Sequence, residues 1–96
     1  MAKGYWIAVY RSVSDPEALK RYAALATPAL QAGGAHFLAR GTAAKAYEGG
    51  VQQRVVLIEF ESVEAAVRTY EGAAYQAALA VLKGAAERDL RIVEGV

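Results

Sequence analysis

The stretch Arg54-Val55-Val56-Leu57-Ile58-Glu59-Phe60-Glu61 decides the fold. It is rich in β-branched and aromatic residues and has neither glycine nor proline, so it reads as a strand. Ser62 follows at once and caps a helix over 63–71, with Glu64 placed near the positive end of the helix dipole. Gly72 interrupts that helix. A second helical piece over 73–86 carries Tyr75, Ala78, Leu79 and Leu82 at helical spacing, and 89–94 (Asp-Leu-Arg-Ile-Val-Glu) returns as a strand. The C-terminal half is therefore strand, helix, strand.

Working outward, the N-terminal half has the same order. Residues 5–13 (Tyr-Trp-Ile-Ala-Val-Tyr-Arg-Ser-Val) form a strand. Asp15-Pro16 starts a helix, with Asp15 as cap and Pro16 at the first helical position. Leu19, Tyr22, Ala23, Ala26 and Leu30 follow at helical spacing, Pro28 is expected to kink the helix, and Gly33-Gly34 ends it. Residues 35–41 are a short strand, and 42–53 is a connection with the turn signal Glu48-Gly49-Gly50. The order βαββαβ with right-handed crossovers is the α+β ferredoxin-like sandwich: one four-stranded antiparallel sheet with the helices on one face.

The sequence has 96 residues, a formal charge of +1, no cysteine and 55% hydrophobic residues. That allows one domain, 1–96, with a modest core. Without cysteine there is no thiolate nucleophile, disulfide framework or cysteine-ligated metal. Basic and acidic residues interleave, so no basic run suits nucleic acid or a membrane surface. No apolar run approaches the roughly 20 residues that span a bilayer. Met1-Ala2-Lys3-Gly4-Tyr5-Trp6 lacks a signal-peptide apolar region, and a cytoplasmic protein is expected.

Side chains alternate along strands, so each strand divides by parity. Tyr5, Ile7, Val9, Ala35, Phe37, Ala39, Val56, Ile58, Phe60, Leu90 and Ile92 are expected to pack under the helices. The other face is expected to carry Trp6, Ala8, Tyr10, His36, Leu38, Arg40, Val55, Leu57, Glu59, Arg91 and Val93. That face is too apolar to be left wet, which predicts a homodimer through the sheet face, with a small-molecule pocket near the interface.

His36, the only histidine, is the candidate general acid or base, or else a structural histidine at the interface. A register pairing 36 with 59, 38 with 57 and 40 with 55 sets Glu59 opposite His36. Glu59 then either orients the ring or forms an ion pair with Arg40 or Arg91. Arg40 is the candidate stabiliser of a developing oxyanion, joined by Arg54 as a binding residue. Trp6, Tyr10 and Tyr75 are candidates for stacking on a planar ligand, or are plain core. One histidine and no cysteine make no usual metal site. Gly33-Gly34 and Gly49-Gly50 belong to no nucleotide-binding motif, so no cofactor is expected.

Several motifs together carry a family resemblance. They are Gly4-Tyr5-Trp6, Asp15-Pro16 leading to Tyr22, the run from Gly33 to Gly41, Glu48-Gly49, Arg54, Ile58-Glu59-Phe60, Tyr75-Gln76 and Val93-Glu94-Gly95. The whole chain resembles the bacterial family known as domain of unknown function 1330, which is similar to the dimeric α/β-barrel superfamily. The resemblance implies two ferredoxin-like protomers with their sheets face to face. Superfamily relatives include cofactor-free monooxygenases, muconolactone isomerases and haem-handling proteins. Thr42 and Lys83 depart from the family pattern, where glycine and arginine are common.

Two functions follow as expectations. One is a cofactor-independent enzyme of monooxygenase, isomerase or proton-transfer type, acting on a small planar substrate. The alternative is a non-catalytic small-molecule-binding or structural dimer. RNA binding is disfavoured, because the third strand presents Glu59 where an RNA-recognition sheet needs aromatics and a basic residue.

Overall fold

The computed structural model describes residues 2–96. The elements are β1 (Gly4–Val13), α1 (Pro16–Ala32), β2 (His36–Thr42), β3 (Arg54–Phe60), α2 (Val63–Glu71), α3 (Ala73–Leu82) and β4 (Ala86–Glu94). The strands form one antiparallel sheet in the order β2-β3-β1-β4, the ferredoxin-like arrangement. Among the described residues no helix is long and apolar enough to cross a membrane.

Local chemistry sets the boundaries where the sequence marks them. The Asp15 carboxylate accepts from the Glu17 and Ala18 backbone amides, and α1 runs through Pro28 to Gly33. Ser62 Oγ accepts from the Ala65 amide and starts α2. Helix α3 stops at Leu82, four residues short of expectation. Gly84 there has a φ of +80°, and β4 begins at Ala86 rather than 89.

The faces of β1 are the reverse of those expected. Trp6 lies opposite Ile58 on one side and Ile92 on the other, and Ala8 lies opposite Val56 and Leu90. Residues directly opposite share a face, so Trp6, Ala8 and Tyr10 join the row of Val56, Ile58 and Phe60 under the helices. Tyr5, Ile7 and Val9 lie on the open side. Both rows of β1 are apolar, so parity alone does not choose between them. The larger aromatic row takes the closed side, where Ala18, Ala26, Ala66 and Ala78 let the helices come close.

Trp6 is the centre of the core. Its ring lies 5.0 Å from that of Tyr75, edge to face, 5.6 Å from Tyr70 and 5.9 Å from Phe60. Such pairs add about 0.5–1.5 kcal/mol each beyond buried area.

Strand β2 departs from expectation in a second way. His36 does pair with Glu59, and Phe37 with Ile58, but the register slips at Leu38. Ala39 then lies opposite Leu57, and Arg40 opposite Val56 rather than Val55. The extra residue of this bulge flips parity, so Arg40 moves to the helix side.

Candidate functional site

The expected site residues divide between the two sides of the sheet. His36 and Glu59 lie on the open side, beside Tyr5, Ile7, Leu57 and Val93. There Glu59 Oε2 accepts a hydrogen bond from the Tyr5 hydroxyl at 3.0 Å. That bond raises the Tyr5 phenol above its ordinary range, with desolvation adding to it. Neither ion-pair partner expected for Glu59 is at its side. Arg91 is bound to Asp89 at 3.0 Å, and the Arg40 guanidinium sits 4.5 Å from the centre of the Phe37 ring.

Trp6, Tyr10, Arg40 and Arg54 lie on the helix side instead, lining a cleft between α1 and the sheet. The correction is physical: the reversed rows of β1 and the bulge in β2 carry Trp6, Tyr10 and Arg40 away from His36, and Arg54 shares the β3 row of Val56 and Ile58. The cleft has about 30 Å³ of free space, room for one small polar group. Tyr75 is wholly enclosed, so it cannot stack on a ligand; its hydroxyl alone reaches the polar cluster.

Two further residues complete the site. Tyr22 comes from the buried face of α1, and Arg88 from the helix side of β4. The Tyr22 and Tyr75 hydroxyls are 2.6 Å apart. Arg88 donates through Nη1 to Tyr22 at 3.2 Å and through Nη2 to Tyr75 at 3.1 Å. Its guanidinium also lies 5.3 Å from the centre of the Tyr22 ring and 5.5 Å from that of Tyr10. The Arg54 guanidinium lies 6.0 Å from the same Tyr10 ring.

This cluster is cationic and contains no carboxylate. Arg40, Arg54 and Arg88 all line the cleft, and no aspartate or glutamate does. Arg54 Nε is buried and has no hydrogen-bond partner among the described residues. Burial raises the Tyr22 phenol well above its ordinary value, the adjoining Tyr75 adds to this, and Arg88 opposes it. Burial likewise raises Tyr75, again against Arg88. Both tyrosines are therefore neutral hydrogen-bond donors at ordinary pH.

Arg88 also lines a wider groove of about 510 Å³ along the end of α3, with Leu79, Leu82, Lys83 and Ala86. Lys83 thus has a place beside the site, as a point charge rather than a bidentate fork. Among the described residues no group of three histidine, aspartate or glutamate side chains could hold a metal ion.

Sequence reasoning missed Tyr22 and Arg88 for different reasons. Tyr22 read as one more apolar helix position. Arg88 lies between the expected helix end at 86 and the expected strand start at 89, where no alternation rule applies. A signal was present: Ala86, Arg88, Leu90 and Ile92 form one row, and a lone arginine in such a row marks a buried cation.

Among solved structures similar to this one is a protein of unknown function from Rhodopseudomonas palustris. Its TM-score is 0.79 at 16% identity, over 99% of this chain and 83% of that one. A dimeric ferredoxin-like protein of unknown function from Thermobifida fusca has a TM-score of 0.59 at 14% identity, over 97% and 91%. A Caulobacter crescentus protein provisionally called an antibiotic biosynthesis monooxygenase has a TM-score of 0.60 at 13% identity, over 99% and 90%. Identities this low support likeness of fold alone. No curated protein matches the sequence. The family match spans residues 3–96, nearly the whole chain, and this protein belongs to the Domain of unknown function (DUF1330) family.

Proposed function

We propose that the chain works as a cytoplasmic homodimer, each protomer binding a small planar molecule that seats one polar group in the cleft beneath α1. The chemistry done there is cofactor-independent, with Arg40 and Arg54 stabilising a developing oxygen charge. Proton transfer, isomerisation and oxygenation all pass through such a charge. The observation that carries this reading is the cleft itself: three arginines converge on it with no carboxylate to neutralise them. The fold likeness to the Caulobacter protein is in keeping with it.

One observation favours the second reading, a binding module without catalysis. No histidine or carboxylate lines the cleft to take a proton, and His36 and Glu59 lie across the sheet. His36 contributes to the cleft's chemistry only if the substrate reaches the open face.

The dimer rests on the open face. Ile7, Val9, Val55 and Leu57 are half-buried there, while Leu38 and Val93 are 50% and 49% exposed. The Thermobifida fusca protein is described as dimeric, which supports the reading. Leu57→Glu sets a charge opposite Ile7 and is expected to reduce the sedimentation mass from two chains to one with the fold retained. A single-chain mass for the unaltered protein at micromolar concentration refutes the dimer.

The ligand is tested with planar phenolic and enolic compounds, first by thermal shift and then by product analysis. Binders are expected to raise the melting temperature, and Arg54→Ala to abolish the shift. Turnover that survives His36→Ala supports catalysis in the cleft, whereas binding without turnover selects the module. If no compound of this class binds, or Arg54→Ala binds as well as the parent, the cleft is not the site.

A further inference from the structure

The Tyr22, Tyr75 and Arg88 cluster has one proton more than it can use. Each hydroxyl has a single proton to donate. One of the two is spent on the 2.6 Å bond between them. Arg88 only donates, so it takes up neither proton. The other hydroxyl proton therefore has no acceptor within the cluster.

Position decides which hydroxyl keeps it. Tyr75 is fully enclosed and does not line the cleft, whereas Tyr22 does. If Tyr22 donated to Tyr75, the spare proton would be stranded inside the core, at a cost of about 1–3 kcal/mol. Donation from Tyr75 to Tyr22 avoids this and aims the Tyr22 proton into the cleft. Tyr22 then accepts from both Tyr75 and Arg88, and each acceptance strengthens it as a donor.

The second unspent donor is Arg54 Nε, buried without a partner and belonging to a residue that lines the same cleft. The free space of about 30 Å³ admits a single oxygen more readily than a branched group. Donors without acceptors, in positive surroundings, select a ligand atom that only accepts and carries negative charge.

We propose that the cleft binds the lone oxyanion of a planar ligand, a phenolate or enolate, with the Tyr22 hydroxyl and Arg54 Nε as its hydrogen-bond donors. Tyr75 and Arg88 are positioning residues that set the direction of the Tyr22 proton. This assignment rests on the cleft being the ligand site and adds the class of ligand and the atoms that recognise it.

The probes are 4-nitrophenol, whose anion absorbs in the visible, and neutral 4-nitroanisole. The full-length protein is titrated with each by calorimetry, and nitrophenol ionisation is followed against pH. Nitrophenolate is expected to bind, nitroanisole to bind at least about 10-fold more weakly, and bound nitrophenol to ionise at lower pH than the free compound. Tyr22→Phe is expected to weaken nitrophenolate binding about 10-fold or more, by loss of one charge-assisted bond, and to shrink the ionisation shift. Tyr75→Phe keeps the Tyr22 proton and the Arg88 bond to it but frees the proton's direction, so it should weaken binding only about 3-fold, less than Tyr22→Phe does, which separates a donor role from mere destabilisation. Equal binding of both probes, or Tyr22→Phe matching the parent, overturns the donor assignment while leaving the cleft as a binding site. Failure of both probes to bind the parent removes the cleft reading and this assignment with it.

Discussion

Substituting Tyr22 by phenylalanine deletes one oxygen from the core and leaves the ring in place. At neutral pH the loss has two parts. The Tyr75 hydroxyl, 2.6 Å away and fully enclosed, loses its acceptor, and a stranded buried donor costs about 1–3 kcal/mol. Arg88 Nη1 loses an acceptor at 3.2 Å but borders the cleft and the wider groove, where water can replace it. The sum is about 2 kcal/mol, and for a domain of this size each kcal/mol lowers Tm by about 4–8 °C. Tyr75→Phe strands no hydroxyl proton, because the Tyr22 hydroxyl already faces the cleft; Arg88 Nη2 loses its acceptor at 3.1 Å but borders the wider groove, where water can replace it, so the cost is about 1 kcal/mol. The double variant removes the stranded proton altogether and should cost about 1 kcal/mol less than the two singles added. Urea unfolding followed by circular dichroism, at one fixed protomer concentration, measures all four proteins. Equal costs for the two single variants, or additivity within about 0.5 kcal/mol, refutes the proton direction assigned to the pair.

Gly4→Ala would set a Cβ 2.5 Å from the Ser62 carbonyl oxygen and 2.7 Å from the Val63 nitrogen. Backbone cannot move aside as a side-chain tip does, so thermal unfolding should show a loss of about 1–3 kcal/mol. The raised Tyr22 and Tyr75 phenols give an alkaline transition. Folding holds these protons more tightly, so their contribution is intact below the unfolded value near pH ~10 and is lost as pH climbs above it. The slope approaches about 1.4 kcal/mol per pH unit for each tyrosine, and Tyr22→Phe should flatten it in denaturant titrations run at successive pH values.

The element order was legible because its signals are local. Asp15 and Ser62 accept from amides within three residues, and the β-branched run at 54–61 has no competing helical period. Those features act before the chain is compact, so they can be read one segment at a time. The pairing of His36 with Glu59 was not fixed locally: any shift by two residues keeps Phe37 and Ile58 on one face, and the long 43–53 connection does not choose between them, so the fold selects the register.

The makeup of each face was decided only by tertiary structure. β1 offers two apolar rows, Tyr5-Ile7-Val9 and Trp6-Ala8-Tyr10, which are nearly degenerate as sequence; pairing on both sides of a central strand breaks the tie. The bulge at Leu38 then turns Arg40 toward Tyr10, Arg54 and Arg88. Local signals were thus enough to separate strands from helices and to leave one sheet face apolar. The fold alone decided where the charges meet, because Tyr22, Tyr75 and Arg88 lie 13 to 66 positions apart and only packing brings their polar atoms together.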